Sequence, residues 1–314
     1  MAYKRGKILN MKIAHISDLH LNTFYKNSNL REIKYLLKNI LQEKADHIII
    51  TGDLVDNADP KDLETLRNLF RKLGLLKSDR MSLVIGNHDI FGGPQTAEEI
   101  FTFPEKCRNV NYNKKVKEFG EYFSETFKNC IYQNEENVFP FVKILDEVMI
   151  AGFNSIAKYS KLKNPFASNG EIGFGQIQEL SDIYRSYSKL VKYKLMLVHH
   201  HFNKIKVKGK SIASFWRMTE KQTMKLRKKK QIIEAFKFLG TDLVLHGHLH
   251  EQKEYTRKNL TFLNSGASIK NNFSGKLFVN FINLKADGIN IDRCSLLSKP
   301  KTESTLYPLQ LEVA

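Results

Sequence analysis

Cysteine is scarce in this sequence: only three of its 314 residues are cysteines, and none of them forms a Cys-x-x-Cys pair. An odd number of widely spaced cysteines argues against a disulfide framework and against a cysteine-ligated zinc site. We therefore expect Cys107, Cys130 and Cys294 to be free thiols. Any metal site must use His, Asp and Asn, which suit Mn, Fe, Zn, Co or Ni.

Long apolar runs are also missing. No segment approaches the ~18–20 apolar residues that a membrane-spanning helix requires, and the first ten residues, MAYKRGKILN, lack the apolar core of a signal peptide. We therefore predict a cytoplasmic protein, with peripheral attachment to a membrane as the alternative. The domain is predicted over 11–298, between an N-terminal extension at 1–10 and a C-terminal tail at 299–314.

Acidic residues are few: 33 Asp and Glu accompany 50 Lys and Arg, so the formal net charge is +17. The imbalance is concentrated in a basic segment from Lys192 to Lys230, where thirteen basic residues accompany one acid, Glu220. Such a segment is either a solvated face or a surface for a polyanion, namely nucleic acid or an anionic membrane. It contains Phe215 and Trp216, which are candidates to face the substrate because aromatic rings among positive charges can stack on bases.

Strand and helix patterns alternate through the first ninety residues. Short β-branched runs predict strands, and apolar residues at helical spacing predict helices between them. Asp59 followed by Pro60 is typical of a helix start, with the acid as N-cap. This alternation predicts an α/β fold with a largely parallel sheet. The predicted strands cover 12–17, 47–51 and 82–86, and the predicted helices cover 29–44 and the segment after Asp59.

The pattern is less regular from about residue 91 to 140, a segment rich in Phe and Tyr. We predict a partly helical insert there, whose aromatic side chains belong to the core rather than to a binding surface. Further strands are predicted downstream, and the last two flank the turn sequence KADG as an antiparallel hairpin. These strands cover 141–145, 148–154, 194–199, 242–248, 276–284 and 288–296.

Polar residues with metal-binding chemistry follow five of the predicted strands. Because ligands bind at the carboxyl ends of strands in open α/β sheets, these side chains are expected at one rim. Carboxylate, carboxamide and imidazole groups together suit two divalent metals, which a bridging carboxylate can hold ~3.5–4 Å apart. Glycines before three of these residues permit close backbone approach. The residues are Asp18, His20, Asp53, Asn87, His88, His199, His248 and His250.

In chain order, the segments DLH, GDLVD, GNHD, a strand-terminal His and GHLH resemble the motifs of calcineurin-like binuclear metallophosphoesterases. The resemblance covers about residues 12–268 and implies a four-layer α/β/β/α sandwich of two mixed sheets flanked by helices. It also implies two divalent metal ions and a catalytic histidine, His88, that faces the substrate. By this resemblance Asp18, His20 and His250 hold one metal, Asn87, His199 and His248 hold the other, and Asp53 bridges both.

Several neighbouring residues have open assignments. His199 is preferred to His200 as the ligand because it directly follows the apolar strand, and His201 is expected to be peripheral. Second-shell candidates, which would hold the ligands in place, are Asp56, Asp89, His200 and His246. For Asp56 and Asp89 a surface or helix-capping role is the alternative, and for His246 the alternative is a place in the core.

The resemblance implies hydrolysis of a phosphate ester by a hydroxide that bridges the metals. The leading hypothesis is a phosphodiesterase similar to the cyclic-nucleotide phosphodiesterases of the family. Two alternatives use the basic segment: a nuclease of the repair type, and a pyrophosphohydrolase that acts on a nucleotide-sugar lipid at the membrane surface. A catalytically silent scaffold is disfavoured because all seven ligand positions and His88 are present.

Overall fold

The structure is a computed structural model that describes residues 9–25, 28–96, 98–203, 224–269 and 276–297. Phe215, Trp216 and the middle of the basic segment lie outside the described residues, as do the predicted C-terminal tail and most of the predicted N-terminal extension.

The described residues contain twelve strands and eight helices. The strands are β1 (Asn10–Ile16), β2 (His47–Thr51), β3 (Met81–Val84), β4 (Tyr132–Gln133), β5 (Phe141–Leu145), β6 (Val148–Gly152), β7 (Tyr193–Leu197), β8 (Leu243–His246), β9 (Lys253–Arg257), β10 (Leu260–Asn264), β11 (Lys276–Lys285) and β12 (Gly288–Leu297). The helices are α1 (Ser28–Gln42), α2 (Pro60–Lys72), α3 (Asn87–Ile90), α4 (Glu99–Arg108), α5 (Tyr112–Tyr122), α6 (Ser124–Phe127), α7 (Phe174–Tyr187) and α8 (Lys229–Phe238).

The strands form two mixed sheets. The first has the order β12-β11-β1-β2-β3, in which β1, β2 and β3 are parallel and the predicted hairpin β11–β12 is antiparallel. The second has the order β4-β5-β6-β7-β8-β10-β9, with a parallel centre of β6, β7, β8 and β10. The predicted largely parallel arrangement therefore holds for β1, β2 and β3 at one side of the first sheet and for the centre of the second sheet. Antiparallel strands lie at the other side of the first sheet and at both edges of the second.

Strand β7 shows how the layers are stacked. Successive side chains of a strand point to opposite faces. Leu195 and Leu197 accordingly belong to the core that contains the first sheet and α1, whereas Met196 and Val198 belong to a second core with α7 and α8. The two sheets thus face each other, and helices cover both outer faces. This is the predicted α/β/β/α sandwich.

The insert at 91–140 is helical, with α4, α5 and α6 inside it. Phe103, Phe119, Phe123 and Phe127 are buried, as expected of core aromatics. Phe101 is an exception, because its side chain is 86% exposed on α4. The three cysteines are free, as predicted.

The structure differs from the sequence-based elements in two ways. Helices α7 and α8 and strands β4, β9 and β10 were not predicted; α8 begins inside the basic segment, and β9 (KEYTR) consists mostly of polar residues. Four of the five strands that precede site residues also end one or two positions earlier than predicted, for example β3 at Val84 and β7 at Leu197, whereas β2 ends at Thr51 as predicted. The polar residues that follow lie in loops, where their backbone is free to turn toward the site.

Candidate metal centre

The predicted site residues meet where the two sheets come together. Strands β1, β2 and β3 of the first sheet and β7 and β8 of the second all end at this place. The loops are joined by backbone contacts: Asp18 N–H donates to Gly52 O at 3.0 Å, and His248 N–H donates to the Asp18 carboxylate at 3.1 Å. The site is therefore shared between the sheets rather than built on one of them.

The first cluster contains Asp18, His20 and His250, whose potential ligand atoms lie within 4.8 Å of one another. His20 Nε2 is 3.9 Å from Asp18 Oδ1, and His250 Nε2 is 3.7 Å from the same oxygen. His20 Nδ1 donates to Asp56 Oδ1 at 3.0 Å. This bond leaves the lone pair of His20 Nε2 directed at the cluster, and Nε2 has no hydrogen-bond partner among the described residues.

The second cluster contains Asp53, Asn87, His199 and His248. His199 Nδ1 must donate to the carbonyl of Thr51, 2.7 Å away, so in the neutral ring Nε2 carries a lone pair. That nitrogen lies 3.1 Å from Asn87 Oδ1, 3.1 Å from His248 Nδ1 and 3.3 Å from Asp53 Oδ2. Acceptor atoms packed this closely repel one another unless a cation or a proton lies between them.

Asp53 connects the clusters. Its Oδ2 atom is 3.3 Å from His199 Nε2 and 3.8 Å from His20 Nε2. Burial alone would raise the pKa of this carboxyl, but the nearby rings of His199 and then His88 outweigh it and hold the pKa well below its usual range. A buried, ionised carboxylate between two groups of imidazoles is suited to bridge two cations.

The backbone of the site is strained. Asp18, His20, Asp53 and His248 have φ angles of 53°, 44°, 51° and 71°, in the left-handed region that non-glycine residues rarely adopt. Each such residue costs about 1–3 kcal/mol and persists only where the surroundings hold it. The strain turns these side chains inward from loops that would otherwise continue outward.

Two glycines make room for the carboxylates. A Cβ atom on Gly86 would lie 2.1 Å from Asp53 Oδ1, and a Cβ atom on Gly247 would lie 2.4 Å from Asp18 Oδ2. Any other residue at these positions would displace the carboxylate. This close approach was anticipated from the glycines that precede Asn87 and His248.

Asp56 and Asp89 are buried, so a surface role is excluded for both. Asp56 binds His20 Nδ1 and also lies 3.4 Å from His88 Nδ1. Asp89 accepts from Val55 N–H at 3.0 Å and from Gly86 N–H at 2.8 Å, which caps α3 and ties the loop after β2 to the loop after β3. The two carboxylates thus hold the loops that carry Asp53 and Asn87.

His200 and His246 are buried and have protein partners on both ring nitrogens. Ser155 Oγ lies 3.0 Å from His200 Nδ1, and Ser168 O lies 3.1 Å from His200 Nε2. His246 contacts Tyr255 Oη at 2.7 Å and Gly247 O at 3.2 Å. These contacts leave neither ring free to bind a metal and favour His199 over His200 as the ligand.

His201 is buried, so the expectation of a peripheral position was wrong. Its ring is nearly parallel to that of His248, with the centroids 6.1 Å apart. His201 Nε2 lies 3.0 Å from Met224 O. The described residues directly after β7, as far as His201, therefore lie beside the second cluster.

His88 lies at the open side of the first cluster. Its side chain is 23% exposed, its Nδ1 donates to Asp56 O at 2.9 Å, and its ring centroid is 4.6 Å from that of His20. Burial lowers its pKa, but the carboxylates of Asp53 and Asp56 outweigh burial and raise the pKa to about 9. The protein scaffold alone thus favours a protonated, hydrogen-bond-donating ring at this position.

The donor set fits divalent metal ions. Carboxylates, a carboxamide and imidazole nitrogens converge in the two clusters, and His20 Nε2 and His248 Nε2 are buried without partners among the described residues. Buried polar atoms without partners are rare in folded proteins and call for an unplaced ligand. The ring orientation is set by outer contacts, as is usual for metal-binding histidines.

Residues 11–252 match the family model of calcineurin-like phosphoesterases. The chain belongs to the calcineurin-like phosphoesterase family. Members of this family use two divalent metal ions and hydrolyse phosphate esters, in agreement with the two clusters that share Asp53. The protein is thus a metal-dependent phosphoesterase.

Solved structures of other metallophosphoesterases have a similar fold. A dimetal phosphatase from Danio rerio superposes with a TM-score of 0.57 at 10% identity, covering 92% of this chain and 99% of that one. The purple acid phosphatase PPD1 from yellow lupin gives a TM-score of 0.57 at 12% identity, covering 96% of this chain and 53% of that one. No curated protein matches the chain in sequence.

Ser155 was missed by the sequence analysis, although it touches the centre. Its hydroxyl accepts from the backbone N–H groups of His199 at 3.3 Å and His200 at 3.2 Å, and lies 3.0 Å from His200 Nδ1. The other site residues were identified as polar residues just after the carboxyl end of a buried strand. Ser155 has the same position relative to β6 and could have been found in the same way.

Proposed function

We propose that this protein is a metal-dependent phosphodiesterase whose leading substrates are cyclic-nucleotide-like diesters. The observation that supports a two-metal reaction most directly is the position of Asp53 Oδ2, 3.3 Å from His199 Nε2 and 3.8 Å from His20 Nε2. One carboxylate in contact with both clusters is suited to hold two cations at the distance that phosphoester hydrolysis uses.

Each cluster has a proposed ligand set. Asp18, His20 and His250 would hold one metal, Asn87, His199 and His248 would hold the other, and Asp53 would belong to both sets. Asp56 and Thr51 O orient the rings of His20 and His199 through Nδ1, so that each Nε2 faces its metal.

His88 is the proposed catalytic residue. When bound, the metals would polarise the phosphoryl group and lower the pKa of water. His88 is anchored through Nδ1 to Asp56 O, so its other nitrogen is available to donate to a phosphoryl oxygen or to the leaving alkoxide. Its partial exposure beside buried ligands is suited to contact with substrate.

The test is hydrolysis of an aryl phosphodiester with added Mn, beside a panel of cyclic nucleotides, aryl monoesters and nucleotide-sugar lipids. Asp53→Ala is expected to reduce diester hydrolysis at least about 100-fold, because a lost bridging ligand removes several kcal/mol of transition-state stabilisation. Asp182→Ala is the matched control, since Asp182 is an exposed acid on α7. Asp53→Ala protein that retains most of its activity and metal would contradict the assignment.

We also propose a cytoplasmic location. Among the described residues, no helix has both the length and the apolar character needed to cross a bilayer. Cell fractionation tests this proposal, and recovery in the membrane fraction would contradict it.

A further inference from the structure

Eight basic residues lie on two neighbouring surface segments beside the metal centre. We call 158–163 and 225–230 together the basic rim. Glu171 forms ion pairs with two of its residues: Glu171 Oε2 lies 3.2 Å from Arg227 Nη1, and Glu171 Oε1 lies 3.8 Å from Lys228 Nζ. Within the described part of the chain, no carboxylate pairs with Lys161, Lys163 or Lys225. The basic residues of the rim are Lys158, Lys161, Lys163, Lys225, Arg227, Lys228, Lys229 and Lys230.

The two segments are joined by backbone hydrogen bonds. Gly170 N–H donates to Lys225 O and Arg227 N–H donates to Gly170 O, both at 2.8 Å. The Arg227 guanidinium also donates to Lys163 O at 2.8 Å. The rim is therefore one continuous structure, although its halves are separated by some sixty residues in the chain.

Buried amides hold the first segment in shape. Asn164 is fully buried and donates to Ala157 O at 3.1 Å and Lys158 O at 3.2 Å. Asn169 donates to Lys163 O and accepts from Lys225 N–H. The lysines between these anchors are exposed on a preformed loop, so an anion could bind without first ordering it.

Two histidines connect the rim to the second cluster. His200 lies between Ser168 O and the His248 ring, with ring centroids 4.4 Å apart. His201 reaches Met224 O, next to Lys225. The rim is thus tied through two buried histidines to the proposed ligand His248, which places it next to the second cluster.

The positive charge of the rim is only partly balanced, because Glu171 pairs with Arg227 and Lys228 whereas Lys161, Lys163 and Lys225 have no carboxylate partner among the described residues. A single phosphodiester carries one negative charge and could neutralise only a small part of such a surface. A polyanion matches it better, because each neutralised phosphate releases a counterion.

Apolar side chains lie among the lysines. Leu162 is 92% exposed between Lys161 and Lys163, and Phe166 is 36% exposed on the same loop. Aromatic rings beside positive charges stack on unpaired bases. Segments that bind flat on membranes are typically amphipathic helices, and the described rim contains no helix before Lys229.

We propose that the basic rim binds the sugar-phosphate backbone of single-stranded nucleic acid and leads one of its phosphodiesters to the metal centre. The proposal rests on the proposed phosphodiester hydrolysis and adds single-stranded nucleic acid to the cyclic-nucleotide-like diesters as a substrate class. In this proposal, the rim binds the nucleic-acid strand on either side of the phosphodiester bond that is cut.

The experiment compares two triple variants with the same change in charge. Lys161→Gln/Lys163→Gln/Lys225→Gln changes the rim, and Lys34→Gln/Lys38→Gln/Lys72→Gln changes exposed lysines on α1 and α2. Binding of fluorescein-labelled oligothymidylate to the metal-loaded full chain is measured by anisotropy over a range of salt. The rim variant is expected to bind at least about tenfold more weakly, with a salt slope lower by about 2, since each single-strand phosphate contact contributes about 0.7.

The control variant is expected to bind within about twofold of wild type, because its lysines lie away from the path of the strand. Equal weakening of both variants would show that only net charge matters and would overturn the proposal. Absence of oligonucleotide binding, or binding to phosphatidylglycerol vesicles in its place, would overturn it as well.

A measurement of oligothymidylate cleavage distinguishes this proposal from the proposed function. The ratio of oligothymidylate cleavage to aryl-diester hydrolysis should fall at least about tenfold in the rim variant, since the loss concerns contacts that only the polymer makes. A wild-type protein that fails to hydrolyse the aryl diester would refute the phosphodiesterase, whereas the anisotropy experiment would still decide what the rim binds.

Discussion

Left-handed backbone marks the metal centre at the scale of single residues. Asp18, His20, Asp53 and His248 all have positive φ angles, and the glycines beside them leave space that a methyl group would fill. Conformations of this kind reduce stability unless neighbouring contacts enforce them. Nine other described non-glycine residues also have positive φ angles, but four of the seven proposed ligands do, so contacts around the centre must hold these loops in place.

Gly86→Ala tests this shaping. The new Cβ atom would lie 2.1 Å from Asp53 Oδ1, so we expect the carboxylate to move and metal affinity and activity to fall by about 10–100-fold or more. Inductively coupled plasma mass spectrometry measures the metal content, and the rate of aryl-diester hydrolysis measures the activity.

Gly175→Ala is the matched control. A Cβ atom there meets nothing within 4 Å on α7, and alanine favours a helix by up to about 1 kcal/mol over glycine. It should retain full activity and equal or higher stability. Wild-type metal content in Gly86→Ala would show that Asp53 is not held where the structure has it.

At the scale of elements, a buried lysine connects the two sheets. Lys143 on β5 of the second sheet donates to Met81 O at 2.7 Å, at the start of β3 in the first sheet, and to Ser78 O at 3.2 Å. It is 1% exposed. Burial lowers the pKa of Lys143 to about 8 because the charged form loses its hydration.

This pKa predicts a pH dependence of stability. Between pH 8 and the unfolded pKa of about 10.4 the unfolded chain binds more protons than the folded chain, so the free energy of unfolding should rise with pH by up to about 1.4 kcal/mol per unit. Lys143→Met should remove this increment and leave the other titrations unchanged. Urea unfolding at pH 7.5 to 10 measures it.

Lys189→Met is the control for this experiment, since Lys189 is an exposed lysine just after α7. It should keep the wild-type slope. Identical slopes for wild type and Lys143→Met would mean that Lys143 titrates in the folded protein as it does in the unfolded chain.

At the scale of the whole molecule, the metal centre joins the two sheets. Asp18, Asp53 and Asn87 come from loops of the first sheet, whereas His199 and His248 come from loops of the second. Metals held by both sets would act as cross-links, and ligands that bind only the folded state stabilise it by mass action.

Metal removal is therefore expected to destabilise the fold. At a metal concentration about 1,000 times its dissociation constant the stabilisation is about 4 kcal/mol, so chelation should lower the thermal midpoint by at least several degrees. Differential scanning fluorimetry with and without chelator measures this shift. The thermal midpoint of the Asp53→Ala variant should change little when chelator is added. If the wild-type midpoint stays unchanged after metal loss has been verified, the metals do not cross-link the two sheets.

The sequence by itself determined most of the strands, the free cysteines and the polar residues at the strand ends, because each of these follows from a local pattern, and the resemblance to calcineurin-like metallophosphoesterases implied the sandwich fold. Asp18, Asp53 and His248 stand directly after buried runs, and no long-range information is needed to notice them. Only the tertiary structure decided how the centre is shared. It placed three strand ends in one sheet and two in the other. It also engaged both nitrogens of His200 with Ser155 and Ser168, whereas Nε2 of His199 faces Asn87, His248 and Asp53 in the second cluster. It also joined Lys163 to Arg227 in one basic rim. Such choices depend on contacts between residues far apart in the chain, and spacing in the sequence does not encode them.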